Sequence, residues 1–237
     1  MKKQLLEYSY TNKLSHIPSA LSMLTYVDLL FTEKFVTPND IIILGKPFGA
    51  QTYYLVWQKL GYLTDIEKLS LGVKHDEIDF VTYSEETMGN ALGVAAGVAM
   101  TTSKQVWVNM SDAVFQMGNA LEAVQYIGHN KLKNIFVTID FNNAQCTGKP
   151  SDILSVEPVI NFFREYGWST QEVNGHDADE LRSAFLQLDK SKPNVVFCRT
   201  VKGYGVASII KDIPKWHYKK IESSTELQSL VAELAVI

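Results

Sequence analysis

Cysteine is scarce in this chain. Cys146 and Cys198 are the only two among 237 residues, and their spacing does not suit a metal-binding pair. A reduced, cytoplasmic protein is the natural expectation. Long apolar runs are missing too. No stretch approaches the roughly 18 apolar residues that a membrane span needs. The start, MKKQLLEYSYTNKL, carries two lysines with no apolar segment behind them, so it reads as an amphipathic helix and not as a signal peptide. Positive charge is sparse: the formal net charge is -4 and there is no dense basic run, which argues against a nucleic-acid partner. Repeats, low-complexity tracts and Pro/Gly/Ser linkers are likewise absent. What remains is 46% hydrophobic, enough for one large core, and one domain over residues 1–237 is expected.

Within that domain, short β-rich runs alternate with helical patterns, as in a doubly wound α/β fold with a mostly parallel sheet and helices on both faces. Strands are expected at 41–44, 105–109, 134–140, 169–173 and 194–199. The run NIFVTID is almost wholly apolar, as a strand buried on both faces should be. Helices are expected over 20–34, 49–60, 88–101, 118–130, 158–166 and 177–190, with a terminal helix from Thr225. The Ala- and Gly-rich MGNALGVAAGVAMT can sit deep, its backbone close to a neighbour or ligand.

Two strands end in polar residues: VWVNM runs into Ser111 and Asp112, and FVTID into Phe141, Asn142 and Asn143. In a parallel sheet these ends share one edge, where ligands bind. A helix beginning after Asp112 would offer free N–H groups to a phosphate. A diphosphate beside a carboxylate calls for a divalent cation. Mg²⁺ takes oxygen ligands, which Asp112, Asn142 and a following backbone carbonyl can supply. Each residue also fits a local role, Asp112 as a helix cap and Asn142-Asn143 as a turn.

The stretch VWVNMSDAVFQMGNALEAVQYIGHNKLKNIFVTIDFNNAQCTGKP resembles the thiamine-diphosphate motif of transketolases, which begins Gly-Asp-Gly and ends at an Asn. Further segments resemble the family in the family's order. They are LSHIPSALSMLTYVDLLF, KHDEIDFVTYSEETMGNALGVAAGVAM, GWSTQEVNGHDADELRSAF and CRTVKGYGVASIIKDIPKWHYK. The resemblance implies a thiamine-diphosphate-binding fold. It implies metal ligation by Asp112, Asn142 and the Ala144 carbonyl. Cofactor contacts are implied from Met88, Ser111, Asp112, Ala113, Asn142 and His217. His16, His75 and His217 fall at active-site histidine positions, where a near-neutral imidazole binds substrate oxygens or moves protons. Glu122 matches an acid near a subunit interface, and Gly148 a glycine of the same motif. His176, in NGHD, is expected to shape a turn, and His129 is given no role.

The sequence also departs from the pattern. Gly-Asp-Gly becomes Ser111-Asp112-Ala113, and Glu-Gly becomes Met117-Gly118. Phe48 falls where a pocket histidine belongs, and Glu86 falls at a glycine near the aminopyrimidine. Full transketolases continue into a second module that holds the activating glutamate. This chain stops at Ile237, so a separate second subunit is expected to carry the pyrimidine-binding and C-terminal domains, two copies of each chain forming the active assembly. The reaction implied is transfer of a two-carbon ketol unit between sugars. The alternatives are a thiamine-dependent decarboxylation or acyl transfer from a 2-keto acid, and a non-catalytic homologue that binds a partner.

Overall fold

The computed structural model describes residues 1–66, 69–73 and 77–234. Helices α1 (Lys2–Thr11) and α2 (Ile17–Thr32) precede β1 (Ile41–Leu44), α3 (Gln51–Lys59), β2 (Val81–Ser84) and α4 (Ala91–Ala99). Then come β3 (Val106–Ser111), a 3-10 turn (Asp112–Gln116), α5 (Gly118–His129), β4 (Ile135–Phe141), α6 (Pro150–Ile153) and α7 (Val159–Glu165). The chain continues through β5 (Ser169–Asn174), α8 (Ala178–Leu186), β6 (Asn194–Arg199), α9 (Ala207–Lys211), α10 (Ile213–Tyr218) and α11 (Ser224–Glu233).

The strands form one sheet in the order β2-β1-β3-β4-β6-β5, and every pairing is parallel. Parallel neighbours need crossovers, and the helices supply them on both faces. Alternate side chains of the central strands enter opposite cores. Val106, Val108, Met110, Ile135, Val137 and Ile139 pack on one side with residues of α4, α5 and α7. Trp107, Phe136, Val196 and Cys198 pack on the other with residues of α2, α3 and α8. A third cluster ties α1 to α2, α10 and α11 through Leu5, Leu6, Leu21, Trp216 and Leu230.

Two expectations need correction. Strand β2 was not among the expected strands: it is short, its last three residues are half-exposed, and its VTYS run lacks the apolar density of the inner strands. The segment after Asp112 is not the start of an α-helix. It is a short 3-10 turn, and α5 begins at Gly118, where the helix over 118–130 was expected. The Ala113 N–H, first in line for a phosphate, instead donates to the Asp112 carboxylate at 2.7 Å.

Candidate functional site

Strands β1, β3, β4 and β6 are consecutive in the sheet, and their C-terminal ends lie along one edge. The residues that follow them are Lys46, Asp112, Asn142 and Lys202. Register sets their neighbourhood: Ser111 pairs with Asp140, and Asp140 with Cys198.

Asp112 is fully buried. One carboxylate oxygen accepts from Ala113 N at 2.7 Å and Ser111 Oγ at 3.2 Å, and the other accepts from Asn143 N at 2.6 Å. The last contact clamps the loop after β4 onto the end of β3. Burial, reinforced by the nearby Asp140, pushes the Asp112 carboxyl up to about 6 despite these hydrogen bonds and Lys46. Its negative charge is therefore undercompensated by the protein's own groups. Asn142 Oδ1 accepts from Ala144 N at 3.0 Å, forming the local turn that the Asn-Asn pair suggested, and its Nδ2 donates to Asp140 at 2.7 Å. The Ala144 carbonyl accepts from Lys202 Nζ at 2.9 Å.

Asp140, Lys46 and Lys202 were not singled out in the sequence. Asp140 is fully buried and accepts from Ser22 Oγ at 2.7 Å, from Asn142, from Thr200 Oγ1 and from the Lys46 ammonium. Burial alone would raise its pKa, but Lys46 and the hydrogen bonds from Thr200 and Ser22 hold it below the usual carboxylate value. The Lys202 side chain is buried, and desolvation and Lys46 push it down to about 8 against the pull of Asp140 and Asp112. The signal that could have found these residues is positional: each lies at or just past the C-terminal end of a strand, and Asp140 is the one charge in an otherwise uncharged strand.

His16 and His217 come together. His16 caps α2 in the left-handed conformation, φ +57°, and its N–H donates to the His217 carbonyl at 3.3 Å. Their ring centroids are 4.8 Å apart, and Phe48 stacks on His16 at 5.0 Å with Tyr218 edge-on at 5.6 Å. Burial comes first in lowering both imidazoles to about 4. His217 and the cations Lys202 and Lys46 add to the effect at His16, and Lys202 at His217, so both rings are neutral near pH 7. His217 Nδ1 is buried with no hydrogen-bond partner among the described residues. The cluster adjoins the Asn142 loop, because Cys146 Sγ lies 3.2 Å from Tyr218 Oη. His75 lies outside the described residues.

The other sequence candidates are more dispersed. Met88 is half-buried and packs against the core cluster that includes residues of α4 and α5. Ala113 and Ser111 flank Asp112 and serve it as hydrogen-bond donors. Glu122 and His129 are exposed on α5. Glu86 is exposed, while its neighbour Glu85 is buried and accepts from Ala91 N at 2.6 Å, capping α4. His176 does shape a turn, but through a distant partner. Its Nε2 accepts from Val201 N at 2.8 Å and its ring stacks on Tyr204 at 3.5 Å, which steadies the turn carrying Lys202.

Comparison with known proteins shows the family. Residues 86–217 match the sequence model of the family described as transketolase, thiamine diphosphate binding domain. One of the subunits of the apulose-4-phosphate transketolase of Phocaeicola vulgatus is 24% identical over 257 residues, covering 99% of this chain and 91% of that protein. The human transketolase-like protein 2 is 29% identical over 199 residues, 77% of this chain. The chain spans only about a third of that relative's length, 32%. Among solved structures, a transketolase from Leishmania mexicana superposes with a TM-score of 0.78 at 18% identity, covering 99% of this chain and 44% of that one. With more than half of its length matched by that model, the chain belongs to the family of transketolase thiamine-diphosphate-binding domains.

Proposed function

We propose that this chain binds thiamine diphosphate and Mg²⁺ along the C-terminal sheet edge and transfers a two-carbon ketol unit between sugars together with a second subunit. The observation that carries the reading is the convergence of Asp112, Asn142, the Ala144 carbonyl, Lys46 and Lys202 on one edge. The donor set fits the metal: a carboxylate, an amide oxygen and a backbone carbonyl are the hard oxygen ligands that Mg²⁺ prefers. The undercompensated Asp112 carboxylate fits it too, and the two buried ammonium groups suit a diphosphate.

When bound, the cofactor supplies a carbanion equivalent able to add to a carbonyl. The chain's own residues do the rest. Asp112 and Asn142 hold the cation, with Asn142 oriented by Asp140. Neutral His16 and His217 can each donate and accept, so they suit the hydroxyl and carbonyl oxygens of a sugar. Phe48, 36% exposed on the His16 face, makes that wall less polar and excludes water. Met88, Ser111 and Ala113 line the approach to Asp112 in this reading, and His75 would complete the histidine set.

The second subunit is supported by exposed apolar residues. Ile153, Leu154 and Tyr218 are 53%, 58% and 64% exposed, and Tyr218 adjoins the site through Cys146 and His16. The Phocaeicola vulgatus relative is itself one subunit of its transketolase, which points the same way. An assembly of two copies of each chain in the cytoplasm is the form we favour.

The decisive measurement is calorimetry of Mg²⁺-dependent thiamine-diphosphate binding to the complex assembled with its partner. Asp112→Ala should weaken binding by more than the roughly 10- to 100-fold typical of losing an outer-shell residue. Unchanged affinity would show that the site lies elsewhere. Assays of the wild-type complex with ketoses and 2-keto acids then separate ketol transfer from decarboxylation.

A further inference from the structure

We propose that Lys202 couples the two ligands of this site: its ammonium holds the Ala144 carbonyl and yields it to a divalent cation more readily when a diphosphate arrives to receive the ammonium. The inference rests on the metal and cofactor reading above and adds a mechanism for the order of loading.

The geometry begins with a carbonyl that already serves a cation, the protein's own. Lys202 Nζ donates to Ala144 O at 2.9 Å from a buried side chain. A Mg²⁺-sized ion on the same oxygen sits about 2.1 Å from it. The ion and the ammonium would then be no more than about 5 Å apart, repelling each other at a site little reached by solvent. Lys46 adds a further positive charge nearby, and its approach already disfavours the charged form of Lys202. The acidic groups do not offset this. Asp140 is engaged by Lys46, Ser22, Thr200 and Asn142, and Asp112 is a single carboxylate.

The two lysines differ in how firmly they are held. Lys46 is paired to a buried carboxylate and also donates to Ser19 O at 3.4 Å. Lys202 makes one hydrogen bond among the described residues, to a neutral carbonyl. Lys202 is thus the group free to move. A diphosphate offers it several anionic oxygens and relieves the repulsion that the metal meets. The metal improves the anion's binding by the same factor, since coupling between two ligands is reciprocal.

The test uses the full chain with Mn²⁺ as the probe. Equilibrium dialysis measures protein-bound Mn²⁺ with and without thiamine diphosphate on both sides of the membrane. The proteins are wild type, Lys202→Met, Lys202→Gln, Lys202→Arg and Asp112→Ala, each checked for native circular dichroism. Lys202→Met should bind Mn²⁺ alone roughly tenfold more tightly than wild type, within the range usual for coupled sites. The gain in Mn²⁺ affinity from thiamine diphosphate should shrink by a similar factor. Lys202→Gln covers the case in which the Met variant fails to fold, and Lys202→Arg should behave as wild type. Equal or weaker binding of Mn²⁺ alone by both neutral variants, with Asp112→Ala still abolishing it, would overturn the coupling and leave the site reading intact. Undiminished Mn²⁺ binding by Asp112→Ala would overturn the site reading and the coupling with it.

Discussion

At the scale of single residues, Asp140 organises the site although it is not one of the proposed ligands. Four side chains converge on its carboxylate, from α2, the β1 and β4 loops and the segment after β6. A buried carboxylate is tolerated only when its partners replace lost water. Removing it leaves the Lys46 ammonium buried and unpaired and frees the Asn142 amide. Asp140→Ala is expected to destabilise the fold by about 3–5 kcal/mol, the usual cost of breaking a buried pair from one side. Urea unfolding monitored by tryptophan fluorescence reads this directly. A loss under about 1 kcal/mol would mean the pair contributes little. Phe48 makes the opposite point. It is 36% exposed and stacked on His16, so a substitution there should change the surface beside His16 and not the core.

At the scale of elements, the site depends on how closely its neighbours pack. Helix α4 runs ALGVAAGVA and buries Ala91, Leu92, Ala95, Ala96 and Ala99. The Asn90 and Ala91 N–H groups at its start donate to Glu85, so the loop from β2 is tied to the helix start. Helix α5 meets the end of α7 at Gly128. A Cβ there would lie 2.1 Å from the Tyr166 carbonyl oxygen, a backbone atom that cannot step aside alone. Gly128→Ala should therefore cost about 1–3 kcal/mol as the two helices separate, in spite of alanine's better helix propensity. Thermal melts of the variant would show it, and an unchanged or raised Tm would refute the close packing.

At the scale of the whole molecule, three half-buried or buried histidines govern the response to acid. His16, His176 and His217 are each lowered from 6.5 to about 4, chiefly by burial. Between those pH values the unfolded chain binds protons that the folded chain refuses, so stability rises with pH and is lost as pH falls from 6.5 toward 4. Asp112 and Glu85 act in the opposite sense, because burial raises their pKa values and the folded state keeps protons longer. The histidines outnumber them, so the net slope is positive. Unfolding free energy measured across this window should fall on acidification, and His176→Gln should flatten the slope by about one proton. A slope unchanged in that variant would show that His176 titrates normally. No described helix is long and apolar enough to cross a membrane, consistent with the absence of apolar runs.

Much of this was written in local sequence. Apolar runs such as IFVTIDF can be satisfied only when buried on both sides, and that requirement identified the inner strands and the wound α/β class. Polar residues closing two of those strands marked Asp112 and Asn142, and the order of motifs marked His16 and His217. Of the two edge strands, β5 was expected and β2 was not, because β2 is only four residues long and its VTYS run is not an apolar one. The charge network escaped for a different reason. Lys46, Asp140 and Lys202 are separated by long stretches of chain, and nothing local to any of them names its partner. Only the strand order β1-β3-β4-β6 sets their loops side by side, and only burial there turns ordinary lysines and an aspartate into coupled groups. The sequence by itself determined which elements form and which polar residues sit at their ends. Tertiary structure decided which of those charges meet, because desolvation and electrostatic coupling depend on distances through space and not along the chain.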